Sequence, residues 1–322
     1  MAVTSAGPAS SKPLERDARL VNAREHRIRP GEIAVGVIIG RSSEFFDFFV
    51  YAIASVLVFP SLVFPYADAL TGTLYSFAIF SLAFVARPFG ALVFMRVDRW
   101  HGRGVKLTAA LFLLGGSTAA MAFLPGHAQV GGLAAILLGI LRIGQGFAQG
   151  GTWDGLPALL SLSAPAERRG WFRMVPQLGA PIGMFVASAL FAFLLATLKP
   201  ADFLDWGWRY PFFVAFVINV VALFARLRLI STPEFTRLYE SRELQPSRLS
   251  DLVREEGRTV ILGAFTPLAS FALFHLVTVF PLSWVVLAGG DASLRFLVIE
   301  LVGAGVGLAT VALSGLLADR LG

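Results

Sequence analysis

The sequence predicts an all-α membrane protein: a complete six-helix N-terminal bundle, a polar linker, and the first two helices of a second, C-terminal bundle. Three observations carry this. Hydrophobic residues make up 56% of the 322-residue chain and charged residues only 15%, with a mean hydropathy of +0.71. A soluble chain of this size carries about 25% charge. Eight stretches reach the roughly 20 mostly apolar residues that a membrane-crossing helix needs. Finally, the charged turn Gly315-Leu-Leu-Ala-Asp319-Arg320-Leu-Gly322 has a blurred copy 221 residues earlier, around Asp98-Arg99. The chain therefore reads as two similar units, the second stopping after two helices.

Residues 1–31 are polar and arginine-rich, with Arg16, Arg19, Arg24, Arg27 and Arg29. The apolar run that follows is too long for a secretory signal, so this stretch reads as a cytoplasmic tail. It is either a solvated arm or a segment that binds anionic lipid headgroups. Residues 32–228 form the six-helix unit, with spans at Ile33–Pro60, Leu70–Met95, Val105–Leu124, Val130–Ser161, Trp171–Leu198 and Trp208–Leu227. Residues 229–258 form the linker. There Ser231-Thr-Pro-Glu234 reads as a capping box with proline in the first turn, opening a short amphipathic helix to about Glu243. Pro246 ends it, and Ser250–Arg258 can form a second helix. Residues 259–322 begin the second unit, with spans Thr259–Ala288 and Leu294–Ala318. Shifting Ile33 by the 221-residue offset lands at residue 254, close to the start of the seventh span.

Basic residues set the orientation. Of 27 lysines and arginines, 21 fall on the side of the tail and linker, and only Lys199, Arg209 and Arg295 on the other. This asymmetry places both termini in the cytoplasm. The net charge of +6 sits in short loops rather than one stripe, which argues against nucleic acid. The absence of cysteine excludes disulfides, thiolate metal sites and thiol catalysis. No histidine cluster, phosphate loop or nucleophile–base pair is present, so neither an enzyme nor a metal or organic cofactor is expected.

Arg41, Arg87 and Arg142 lie within spans. An ionisable group there costs about 2.5–3.5 kcal/mol on insertion scales, so it must be paired or face water or a ligand. Glu44, Asp47 and Tyr51 follow spacings of three and four and share one face of span one. Two carboxylates so close repel, which favours a proton on one of them. Glu44 either joins in that chemistry or pairs with Arg41, one turn away; Asp47 has no basic neighbour at helical spacing. In span four, Arg142, Gln145, Gln149 and Trp153 form a polar stripe. Arg142 can clasp a ligand carboxylate with two parallel hydrogen bonds, or neutralise Glu44 or Asp47 from span one. Gly146-x-x-x-Gly150 and Gly151-x-x-x-Gly155 read as close helix-packing surfaces. His275 lies in span seven at a depth similar to Asp47 in span one, facing it across one cavity or simply packed in the core. Glu300 in span eight is equally open. Arg87, before Pro88, reads as snorkelling to the surface.

Several stretches together resemble the major facilitator superfamily, and within it the metabolite:proton symporter branch. They are Gly40-Arg-Ser-Ser-Glu44-Phe-Phe-Asp47-Phe-Phe-Val-Tyr51, Arg87-Pro-Phe-Gly90, Arg142-Ile-Gly-Gln145-Gly146 with Gly150-Gly-Thr-Trp153, Trp206-Gly-Trp-Arg-Tyr-Pro-Phe212, Thr232-Pro-Glu-Phe235 and Gly315–Gly322. The resemblance covers about residues 30–322. It departs at Phe94 and Thr152, where glycine and glutamate are usual, at Asp154 and Arg41, and in having eight spans rather than twelve. It implies a monomeric inner-membrane carrier of a small-molecule metabolite and a proton, with rocking bundles around a midplane site. Glu44, Asp47, Tyr51, Arg142, Gln145, Gln149, Trp153 and His275 are the candidate coupling and binding residues. Asp98, Arg99 and Arg103, with Asp319 and Arg320 in the second copy, would form a cytoplasmic gate in which the aspartate caps a helix start and pairs with arginine. The plainer reading of these five is topology-setting loop charge. The competing class is a non-transporting fragment, sensor or scaffold of transporter descent, because two helices of the second bundle do not enclose a two-bundle cavity.

Overall fold

The computed structural model describes residues 29–153, 155–232, 249–266, 268–289 and 292–321. Nearly all of the arginine-rich tail, and the linker helix expected between Glu234 and Glu243, lie outside those residues.

The elements are α1 (Pro30–Leu57), α2 (Phe59–Val63), α3 (Ala69–His101), α4 (Arg103–Met121), α5 (His127–Val130), α6 (Leu133–Gly151) and α7 (Leu156–Ser163). They continue with α8 (Arg169–Met174), α9 (Gly179–Thr197), α10 (Pro200–Asp205), α11 (Tyr210–Ile230), α12 (Leu249–Phe265), α13 (Leu268–Leu287) and α14 (Ser293–Leu321). Among the described residues, seven helical runs are long and apolar enough to cross a membrane. Eight were expected. The eighth, α1, has 28 residues and so a length of about 42 Å, but Arg41, Glu44 and Asp47 sit in its middle.

Local chemistry sets the ends. Asp68 caps α3: its Oδ2 accepts the Thr71 N–H at 3.1 Å. That bond holds the Asp68 carboxyl below the usual carboxylate range. Gly102, at φ 89°, turns the chain from α3 into α4 without a Cβ penalty. At the other end of the bundle, the Arg209 guanidinium donates to the carbonyls of Ala122 and Leu124, just past the C-terminus of α4. Span four is not the continuous helix expected. It breaks between α6 and α7, where Gly155 takes φ 79° and Pro157 sits in the first turn of α7.

Glycines bring α3 and α6 together. A Cβ at Gly90 would overlap the backbone of Phe147, one at Gly146 that of Ala83, and one at Gly150 the backbone from Arg87 to Ala91. The first small-residue pair thus packs helix on helix as expected. In the second pair, Gly151 packs against Phe94 and Ala110, whereas Gly155 makes the break. Gly146→Leu is expected to force α3 and α6 apart at a cost above the roughly 1–3 kcal/mol typical of overpacking. The check is the monodisperse yield and melting temperature in detergent; unchanged values would show the seam to be plastic.

Two apolar clusters fill the bundle. One, around Tyr51, Phe59, Phe191, Trp208 and Phe212, occupies the end near Arg209. The other, around Leu107, Leu111, Leu156, Leu160 and Leu223, occupies the end near Asp98. Beyond the six-helix unit, α14 runs antiparallel to span five. Its residues Gly315, Gly307 and Glu300 meet Trp171–Met174, Pro181 and Ser188 in turn.

Candidate functional site

A buried polar network links α1, α4, α6 and α11. Asp47 is 1% exposed. Its Oδ2 accepts from the Thr118 hydroxyl at 3.1 Å and the Asn219 amide at 3.3 Å, and its Oδ1 has no hydrogen-bond partner. Asn219 is itself oriented by Ser43, whose hydroxyl donates to Asn219 Oδ1 at 2.7 Å. From Thr118 the network runs on to Gln145, whose Nε2 donates to Thr118 Oγ1 at 2.7 Å. Arg142 Nη1 then donates to Gln145 Oε1 at 2.8 Å, and its Nε to the Phe80 carbonyl at 3.2 Å. The Arg142 guanidinium lies over the Tyr51 ring at 4.0 Å and the Phe80 ring at 4.6 Å. It is a desolvated cation held by aromatic faces and two neutral acceptors, the Phe80 carbonyl and the Gln145 amide oxygen, rather than by a carboxylate.

Arg142 and Asp47 therefore form no direct ion pair. They communicate through two neutral side chains. The Thr118 hydroxyl has a second acceptor in reach, the Leu114 carbonyl at 2.9 Å, so it can turn away from Asp47 without losing a bond.

A cavity of about 440 Å³ lies between α1, α3, the break in span four and α11, one turn of α1 short of Asp47. Its polar wall is Arg41, Glu44, Arg87, Gln149, Trp153 and Arg226. Glu44 is clasped by Arg41 Nη1 on its own helix and Arg226 Nη2 from α11, each at 2.6 Å. The pairing with Arg41 was one of the two expected readings; the second arginine was not foreseen. With three guanidinium groups and one carboxylate, the wall is net cationic.

The break in span four adds backbone groups to this wall. Arg226 Nη1 donates to the Thr152 carbonyl at 3.2 Å and Lys106 Nζ to the Trp153 carbonyl at 2.8 Å. Two cations from other helices thus satisfy carbonyls that the interrupted helix leaves open.

The expected site residues divide into three groups. Glu44, Gln149 and Trp153 line the cavity. Asp47, Tyr51, Arg142 and Gln145 lie buried in the network beyond it. His275 is elsewhere: its ring sits among those of Phe48, Phe84 and Phe274, at 5.6–6.0 Å, rather than across the cavity from Asp47. Arg87, expected at the surface, is exposed but turned into the cavity. Arg226, Lys106, Thr118, Asn219 and Ser43 went unread. Arg226 and Lys106 stand at the ends of spans, among the charges that flank the loops; only Asn219, a lone amide inside an apolar helix, carries a sequence signal.

The two copies of the charged turn differ. Asp98 pairs with Lys106 Nζ at 3.0 Å and with Arg103 Nε at 3.8 Å, the second being an aspartate–arginine contact of the kind expected, while Arg99 is exposed. It sits in the last turn of α3 and caps no helix start among the described residues. Asp319 does cap one: its Oδ1 and Oδ2 accept the N–H groups of Gly170 and Trp171 at 2.6 and 3.0 Å, at the start of span five. Arg320 is exposed in the last turn of α14.

Helices long and apolar enough to cross a membrane, around a buried charge network and a polar cavity, define a multi-pass membrane protein of the transporter class. The chain belongs to the sugar (and other) transporter family of the major facilitator superfamily, whose sequence pattern matches residues 33–260. It is 37% identical over 98% of its length to the inner membrane metabolite transport protein YhjE of Escherichia coli (strain K12), covering 71% of that protein. It is 30% identical over 97% of its length to the shikimate transporter of the same organism, covering 70% of it. The fold is similar to that of a D-xylose-proton symporter, with a TM-score of 0.66 and 16% identity over 90% of this chain and 69% of the other.

Proposed function

We propose that this chain is a secondary active transporter that moves a small polar metabolite, an organic acid or a zwitterion, together with a proton by alternating access. It acts in the inner membrane as a monomer, with the tail (1–31) and linker (229–258) in the cytoplasm and two bundles, 32–228 and from 259 onward, rocking about the midplane. The observation that carries this is the unbroken hydrogen-bonded path from Asp47 through Thr118 and Gln145 to Arg142, beside a cationic cavity. The names of the relatives agree with it: one is an inner-membrane metabolite carrier, another takes an organic acid, and the similar fold belongs to a proton symporter.

The chemistry follows from the network. An ionised Asp47 is a strong acceptor and holds Thr118 and Asn219. A proton arriving from outside weakens that claim. The Thr118 hydroxyl proton then turns to the Leu114 carbonyl, the carboxylate no longer polarises the chain through Thr118 and Gln145, and Arg142 is freed to meet the solute with Gln149. The wall of Arg41, Arg87 and Arg226 favours a solute bearing a carboxylate. Release of the proton to the cytoplasm reverses each exchange and frees the solute.

Gradient-driven uptake tests this reading. Vesicles holding the protein and given an acidic exterior are expected to accumulate an organic acid above its external concentration, and to lose it when a protonophore is added. Equilibration that ignores the pH gradient would overturn proton coupling.

A further inference from the structure

We propose that Ser188 and Glu300 form an outer latch between the two bundles, and that Glu300 is a second proton-bearing group whose ionisation lets the outer side open. The proposal rests on the alternating-access reading but not on the identity of the solute or the role of Asp47.

The seam between span five and α14 has a polar contact near each end. At the cytoplasmic end Asp319 caps span five at Gly170 and Trp171. Near the other end the Ser188 hydroxyl donates to Glu300 Oε2 at 3.1 Å. Glu300 stands seven residues after Ser293 and 19 before Asp319, or about 10 Å and 28 Å along the helix. That is the outer third of a hydrocarbon core about 30 Å thick. The rest of α14 that is buried is apolar: Leu297, Ala304 and Gly315. Ser188 is fully buried and Glu300 is 7% exposed.

No cation among the described residues meets the Glu300 carboxyl. The helix that carries Ser188, α9, has no ionisable residue. In α8, Arg169 and Arg173 lie at the level of Asp319, at the cytoplasmic end. His275 on α13 is surrounded by phenylalanine rings. On α14 itself, Arg295 is exposed toward the outside, and Asp319 and Arg320 are at the far end.

A neutral carboxyl and a hydroxyl satisfy each other in so dry a seam. An ionised carboxylate with one hydroxyl and no cation needs water, and the nearest water is outside. Ionisation passes the proton to that water, and hydration of the carboxylate parts Ser188 from Glu300. Protonation from the outside closes the pair again. Asp47 differs, because all its partners belong to one bundle; Glu300 reports on the contact between two.

The natural sequence has no cysteine, so a single introduced thiol reads out the latch. Ala192 lies one turn outward from Ser188 on the same face of α9 and is buried. The A192C variant in vesicles is labelled from outside with a membrane-impermeant maleimide, and its rate is divided by that of D205C in an exposed outer segment. This division removes the intrinsic pH dependence of the reagent. The ratio is expected to rise as the outside becomes alkaline, and to rise about tenfold at neutral pH in S188A and E300A, as a minor open state becomes the major one. E300Q, close in shape and unable to ionise, is expected to stay shielded at every pH and to elute as a monodisperse species. A ratio that ignores pH and is the same in E300A, S188A and E300Q overturns the latch. Because access rather than uptake is measured, that result would leave proton-driven transport standing, and failed uptake would leave the latch testable.

Discussion

Asp47→Asn is expected to abolish proton-driven accumulation while leaving solute exchange in place. The substitution preserves shape, and an asparagine oxygen still accepts from Thr118 and Asn219. What disappears is the acidic proton. With one proton per solute, a gradient of one pH unit supports about tenfold accumulation, because each unit is worth 1.36 kcal/mol. The variant should fall to no accumulation, with the solute merely equilibrating. Counterflow of labelled against unlabelled solute at equal pH should persist, since it needs the cavity and the rocking motion but no net proton movement. Equal accumulation in the variant and the parent would remove Asp47 from the coupling role, and with it the path to Arg142.

Arg142→Lys is expected to cost binding rather than folding. Lysine keeps the charge but lacks the planar fork that donates to Phe80 and Gln145 while lying on the Tyr51 ring. Each charge-assisted hydrogen bond is worth about 1.5–3 kcal/mol, so loss of one raises the apparent KM for uptake about 10- to 100-fold. The melting temperature separates the alternatives. A large fall with little change in KM would make Arg142 a structural cation that holds α3 against α6, and the solute would then be recognised by the cavity arginines alone.

The fold was legible because its determinants are local. Twenty apolar residues between charged loops mark a span wherever they occur, and seven of eight expected spans meet that standard among the described residues. The eighth, α1, spans by length, and its charges are what make it part of the site. The small-residue spacing at Gly146 and Gly150 was readable for the same reason. The break in span four was not, although Gly155 and Pro157 were its signal, because a hydropathy window averages over it. Arg226 was unreadable for a deeper reason. Its partner Glu44 lies 182 residues away, and nothing near either residue distinguishes a guanidinium that ends a span from one that begins a loop. Lys106 was hidden likewise. His275 had two readings, facing Asp47 or packed among apolar neighbours, and depth alone does not choose between them; the rotation of the helix about its own axis does, and it sets the ring among Phe48, Phe84 and Phe274.

The interruption of span four also divides mechanical duties along one polypeptide rod. Above Gly151 the rod is pinned, because glycines seat it on the neighbouring backbone with no slack. Below it, Trp153 walls the chamber just before a left-handed joint at Gly155, and Leu156 and Pro157 wall it just after. Substitutions at Leu156 and Pro157 therefore change the chamber's wall without touching the glycine seam that fixes the guanidinium-bearing portion.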